Sequence, residues 1–214
     1  MGRTALEGSN YGASTSGEPS EAPTRRTPRA ALLGGPRYVG LSKDADSAVK
    51  RESYIDWDDY FMSVAMLSAF RSKDPNRQVG ACIVDPQSSK IVGIGYNGFP
   101  WGCNDDSLPW ARDAEKWEDT KYPYVCHAEM NAILNKNSAS LEGCRIYTTL
   151  FPCNECAKLI IQSRMQSVVY LADAGDKAPF TTARRLLNLA GIDLRKMKPS
   201  VPRVVVDFEC ELAQ

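Results

Sequence analysis

The chain has one histidine, His127, and it stands two residues ahead of an acid in Cys126-His127-Ala128-Glu129. Past room for one helix and one strand comes Pro152-Cys153-Asn154-Glu155-Cys156. For both stretches to serve one site, the fold has to bring them together. Cys153 and Cys156 are three apart, the spacing at which two side chains on a first helical turn point the same way. One histidine and two cysteines supply three zinc ligands and leave the fourth tetrahedral position for water. Structural zinc sites are usually closed by four protein ligands, whereas catalytic ones keep a position open. A lone C-x-x-C also suits a structural half-site or a redox pair. The conjunction with H-A-E weighs against both.

Residues i and i+2 of a helix face opposite ways. For His127 and Glu129 to share a pocket, His127 must therefore sit at or just before a helix start, with 129–136 running on as helix. Pro152 is well placed just ahead of a first turn. There the helix dipole favours thiolate over thiol at both cysteines. Zinc lowers the pKa of a bound water to about 7. Glu129, which is not a ligand, is then free to take a proton from that water and hand it on.

The 214 residues are expected to make one globular domain at 53–214 and a disordered tail at 1–52. Residues 8–29 are rich in Gly, Ser, Thr, Pro and Glu and carry almost no large apolar side chain, too little to offset the cost of ordering. Arg25, Arg26, Arg29 and Arg37 hint at organelle targeting, but Glu7, Glu18 and Glu21 count against it. Position 6 is leucine, so Met1-Gly2 does not open a myristoylation pattern. Lys plus Arg and Asp plus Glu are 26 each, so net charge is zero and no polyanion-binding surface is expected, which argues against nucleic acid as partner. No apolar run approaches the roughly 18 residues of a membrane span. Seven cysteines, an odd number, point to a reducing compartment. The expected location is the cytoplasm, with the nucleus as the alternative.

Asp56 is placed to cap a helix over 57–71. Strands are expected at 79–84 and 91–96, joined by a polar turn, and a long connection fills 97–125. A strand at 145–150 follows the His127 helix, and the Cys153 helix leads to a strand at 167–171 and a helix at 181–190. Segments 192–197 and 203–206 suit one or two last strands. Helices alternating with strands imply an α/β, three-layer α-β-α fold with a central mixed or largely parallel sheet.

H-x-E followed by P-C-x-x-C is the signature of the zinc nucleobase deaminases. Over about 54–197 the chain resembles the deoxycytidylate (dCMP) deaminases of the cytidine deaminase superfamily. The resemblance is carried by RSKDPN at 71–76, VGACIV at 79–84, GIGYNGFP at 93–100, TKYPYVCHAE at 120–129 and FPCNECAK at 151–158. It implies hydrolysis of dCMP to dUMP and ammonia for thymidylate synthesis, activation by dCTP, inhibition by dTTP, and a homo-oligomer, commonly a hexamer. It also implies Zn2+ held by His127, Cys153 and Cys156, with Glu129 as the catalytic proton carrier. Asn97 in the GYNG turn would contact the sugar and Arg71 the 5′-phosphate, where a guanidinium fork suits a dianion. Gly98, Asp105 and Asp106 are the implied effector contacts.

The chain departs from the family pattern once. After the 167–171 strand, family members carry a tyrosine followed by histidine or arginine, and here the register gives Gly175 and Asp176. Asp176 is expected to repel phosphate. The alternatives are a zinc deaminase of another cytidine or adenosine substrate, and a non-catalytic zinc-binding subunit that senses nucleotides. A further reading is a nucleotide-regulated interaction protein that works through its tail.

Overall fold

A computed structural model of the chain describes residues 48–51 and 54–209. The tail expected at 1–52 lies outside them apart from 48–51. The first helix, α1 (Trp57–Ala69), starts where the Asp56 carboxylate accepts the Asp59 N–H at 2.8 Å. Two strands follow, β1 (Gly80–Asp85) and β2 (Lys90–Tyr96), and then the long connection, whose one helical segment is the 3-10 turn Trp117–Asp119. The chain continues with α2 (Ala128–Leu134), β3 (Arg145–Leu150), α3 (Asn154–Gln162), β4 (Ser167–Ala172), α4 (Ala178–Leu189) and β5 (Asp193–Lys196). Among the described residues, 203–206 forms no strand. None of the described helices is long and apolar enough to cross a membrane.

The five strands lie in the order β2-β1-β3-β4-β5. The pairs β1/β2 and β1/β3 are antiparallel, while β3/β4 and β4/β5 are parallel. The sheet is therefore mixed. Period-two alternation sends neighbouring strand residues to opposite faces. Cys82, Val84, Tyr147 and Val169 meet Phe61, Met62 and Ala65 of α1 on one face. Ala81, Ile83, Ile146, Val168 and Tyr170 meet α2, α3 and α4 on the other. This is the three-layer arrangement expected from the order of elements.

Topology then gathers the site. The two parallel pairs put the C-terminal ends of β3 and β4 at one end of the sheet. Because β1 runs against β3, its start lies at that end too, beside the finish of β2: Gly80 is opposite Tyr96, and Ala81 opposite Thr148. Four connections thus meet along one edge, those before β1, after β2, after β3 and after β4. Ligand sites of open α/β sheets form at such ends.

Against β2 lies α2, packed so closely that β2 carries glycine twice. A Cβ on Gly93 would come within 2.6 Å of the Ala132 carbonyl oxygen, and one on Gly95 would collide with the backbone of Ala128 and Ala132. Asn131 Nδ2 donates to the Tyr96 carbonyl at 2.7 Å, and Asn135 Nδ2 to that of Ile94 at 3.1 Å. These bonds lock the helix that begins at His127.

Candidate active site

His127 is the N-cap of α2 and Cys153 the N-cap of α3, both with extended backbone. Capping residues stand half outside the helix, so His127 turns back to face the first turn that carries Glu129. Cys156 is the third residue of α3. The two helix starts face each other across the end of β3. His127 Nδ1 lies 3.3 Å from Cys153 Sγ and 3.4 Å from Cys156 Sγ, and the three ligand atoms all fall within 4.8 Å of one another. Zinc at about 2.0–2.1 Å from nitrogen and about 2.3 Å from sulfur, with tetrahedral angles, separates those atoms by about 3.6 Å. The two nitrogen–sulfur separations fit zinc to within a few tenths of an ångström.

Its electrostatics agree. Cys153 is held down at about 4, first by its hydrogen bond with Cys156 and then by His127. His127 is pushed up to about 9, first by Cys153. Cys156 is raised, by Cys153 first and by burial second. In the metal-free trio a thiolate and a proton on the imidazole stabilise each other, and a divalent cation takes the proton's place.

Glu129 is buried, and burial raises its pKa above the ordinary carboxylate value. Its Oε2 lies 3.5 Å from Cys156 Sγ, beside the metal-ligating trio but not part of it. A carboxylate so placed binds a proton more readily than one in water.

His127, Cys153 and Glu129 line a cavity of about 510 Å³, within the range of small-molecule sites. Val125, Leu150 and Phe151 supply apolar wall. Arg77, Arg112, Lys121 and Lys177 bring positive charge to it, against Asp74, Glu129 and Glu155. Glycine is not what meets the cavity in the loop after β4: Lys177, Pro179 and Phe180 line it, while Gly175 and Asp176 do not. Asp176 belongs instead to a separate groove with Arg184 and Arg185.

The other expected contacts divide. Asn97 lines the cavity, but its side chain is fully occupied. Its Oδ1 accepts from Val79 N at 2.8 Å and from Ser72 Oγ at 2.9 Å, and its Nδ2 donates to Asp74 Oδ2 and to the Arg77 carbonyl. Arg71 is not among the lining residues: it is exposed just past the C-cap of α1, and the chain turns inward only at Ser72, whose hydroxyl donates to Asn97. The arginine of this loop that lines the cavity is Arg77. Gly98 forms a two-way backbone bridge with Cys126, at 3.1 and 2.9 Å. Asp105 pairs with Lys73, and the Asp106 N–H is held by Asn104. Asp74, Arg77, Arg112, Lys121 and Lys177 were missing from the sequence reading. Only the RSKDPN and TKYPYV runs, which hold Asp74 and Lys121, could have flagged two of them.

Comparison with known proteins agrees with this geometry. The profile described as "Cytidine and deoxycytidylate deaminase zinc-binding region" matches residues 55–172. The Homo sapiens protein "Deoxycytidylate deaminase" is 58% identical over 164 residues, covering 76% of this chain and 92% of that one. A Drosophila melanogaster protein named "Probable deoxycytidylate deaminase" is 51% identical over 176 residues, covering 79% and 85%. Among solved structures, dCMP deaminase from the cyanophage S-TIM5 in complex with dCMP and dUMP aligns at TM-score 0.52 and 28% identity, covering 64% of this chain and 94% of that one.

Proposed function

The chain belongs to the cytidine and deoxycytidylate deaminase family, and from that premise we propose that it is a zinc-dependent hydrolase that converts dCMP and water to dUMP and ammonia. The relatives named for that reaction and the dCMP-bound cyanophage neighbour support the substrate. The observation that carries the reading in this chain is Glu129, a buried carboxylate beside three metal-ligating side chains and outside their set.

His127, Cys153 and Cys156 hold the zinc, which when bound acts as a Lewis acid that lowers the pKa of water to about 7. The Glu129 carboxylate takes a proton from the attacking water and delivers it to the ring nitrogen. As the bond between C4 and the exocyclic nitrogen breaks, a second proton passes through Glu129 to the departing amine. The base rests against Val125, Leu150 and Phe151. Arg77 and Lys177 take the phosphate, because their side chains have no hydrogen bond or ion pair among the described residues. Asn97, its four bonds taken, shapes the sugar side of the wall.

Control by dCTP and dTTP at a site that includes Gly98, Asp105 and Asp106 is part of the same proposal. Its support is the Gly98–Cys126 bridge, which ties the GYNG turn to the residue before His127. A homo-oligomer, hexameric by family likeness, is supported by exposed Phe70, Trp101, Leu134 and Leu189. Cytoplasmic action fits the use of thiolates as metal ligands.

Ammonia release from dCMP, deoxycytidine and CMP, with and without dCTP, tests the reading. The expected result is rapid turnover of dCMP alone, raised by dCTP. Zinc-loaded protein that turns over none of the three would overturn it in favour of a non-catalytic subunit.

A further inference from the structure

Of the four cationic residues at the cavity, three are exposed and one is not: Lys121 is only 7% exposed. Its ammonium pairs with Asp74, which is 2% exposed. The Asp74 carboxylate is saturated. Oδ1 accepts from Asn76 N at 2.8 Å and Arg77 N at 3.2 Å, while Oδ2 accepts from Asn97 Nδ2 at 3.2 Å and from Lys121. Asn97 is saturated too, as described above. Neither can bond a ligand without breaking an internal bond. Lys121 differs: an ammonium has three donors, and among the described residues Nζ uses one, on Asp74.

The backbone holds this ammonium in place. Lys121 N donates to the Ala111 carbonyl at 2.9 Å, and its own carbonyl accepts from Tyr124 at 3.1 Å and Val125 at 3.0 Å. Asp74 in turn fixes Arg77, whose N–H it accepts and whose carbonyl takes Asn97 Nδ2. The wall that carries the proposed phosphate partner is thus built on a buried carboxylate, and a phosphate must approach a negative charge. One residue cancels that charge.

We propose that Lys121 is a specificity-determining residue for an anionic nucleotide: it masks Asp74 and turns its two remaining donors toward oxygen atoms of the substrate. The proposal rests on the dCMP reading above. A buried charge that loses its partner is strongly felt, and in a partly desolvated site it acts on neighbouring charges far more than in water.

The test measures kcat/KM for dCMP and for uncharged deoxycytidine, together with zinc per chain, in wild type, Lys121→Met and Asp74→Asn. Removing the cation leaves Asp74 bare, so Lys121→Met should lower the preference for dCMP over deoxycytidine by about ten-fold or more at unchanged zinc content. Asp74→Asn leaves the ammonium without its counter-charge and should move the preference the opposite way. It also keeps the test open if Lys121→Met does not fold, since a rise in preference supports the proposal and a fall overturns it. A pair with a purely structural role would lower activity on both substrates alike in both variants, and that result, or no change in preference, refutes it. Wild-type protein inert toward dCMP would instead sink the parent reading, so the two failures are distinguishable.

Discussion

His127 and Glu129 would lie on opposite sides of a helix, and the chain resolves this by placing the histidine at the cap and the glutamate in the first turn. The same device serves the cysteines, with Cys153 at a cap and Cys156 three residues on. Each ligand is therefore fixed by a helix start and not by a loop. Cys153→Ala removes both a ligand and the partner that holds the His127 proton in the metal-free trio. It is expected to bind less than one-tenth of a zinc per chain after dialysis, by metal analysis; a variant that retains stoichiometric zinc would refute the ligand set. These residues were legible because ligand chemistry leaves a spacing pattern. Asp74 and Lys121 stood in the RSKDPN and TKYPYV runs, but their pairing spans 47 positions and nothing in either run says that the two charges meet. Arg71 was expected at the phosphate, but it is exposed and does not line the cavity, whereas Arg77 does. Sequence places it and Arg77 on one polar segment, and only the inward turn at Ser72 separates the one outside the cavity from the one that lines it.

At the scale of elements, the seven-residue α2 has too few residues to hold itself as a helix in isolation. Its order comes from contact with β2, and that contact depends on Gly95. Gly95→Ala forces a methyl into the backbone of Ala128 and Ala132, and overpacking of this kind costs about 1–3 kcal/mol. Because Ala128 adjoins His127, the displacement also moves a metal ligand. A thermal melt with a parallel zinc determination should show both a lower midpoint and weakened metal retention; an unchanged melt would mean that α2 is not seated by β2. Most elements could be read from the sequence because periodicity and punctuation agreed. The Asp56 cap and the β3 bounds were found where expected. Expected at 181, α4 instead starts at Ala178, since Pro179 is acceptable in a first turn although it reads as a breaker. Val204 makes only a single bridge, so the apolar run at 203–206 adds no strand.

For the molecule as a whole, the mixed sheet explains why residues so far apart in sequence share one cavity. Antiparallel pairing brings the segment before β1 and the GYNG turn after β2 to the end where β3 delivers Cys153 and β4 delivers Lys177. The resulting cavity is lined by His127, Cys153 and Glu129 and also by Arg77, Arg112, Lys121 and Lys177. The layered fold followed from the order of helices and strands, while the assignment of cavity walls needed the register between strands. The account stands on Glu129 as the group that moves protons without holding metal. The direct measurement is turnover of dCMP by Glu129→Gln with zinc counted in the same sample. The account predicts one zinc per chain, as in wild type, with kcat lower by about 10²–10⁴-fold. Near-wild-type turnover at full zinc would contradict it, and loss of the metal would make Glu129 a ligand.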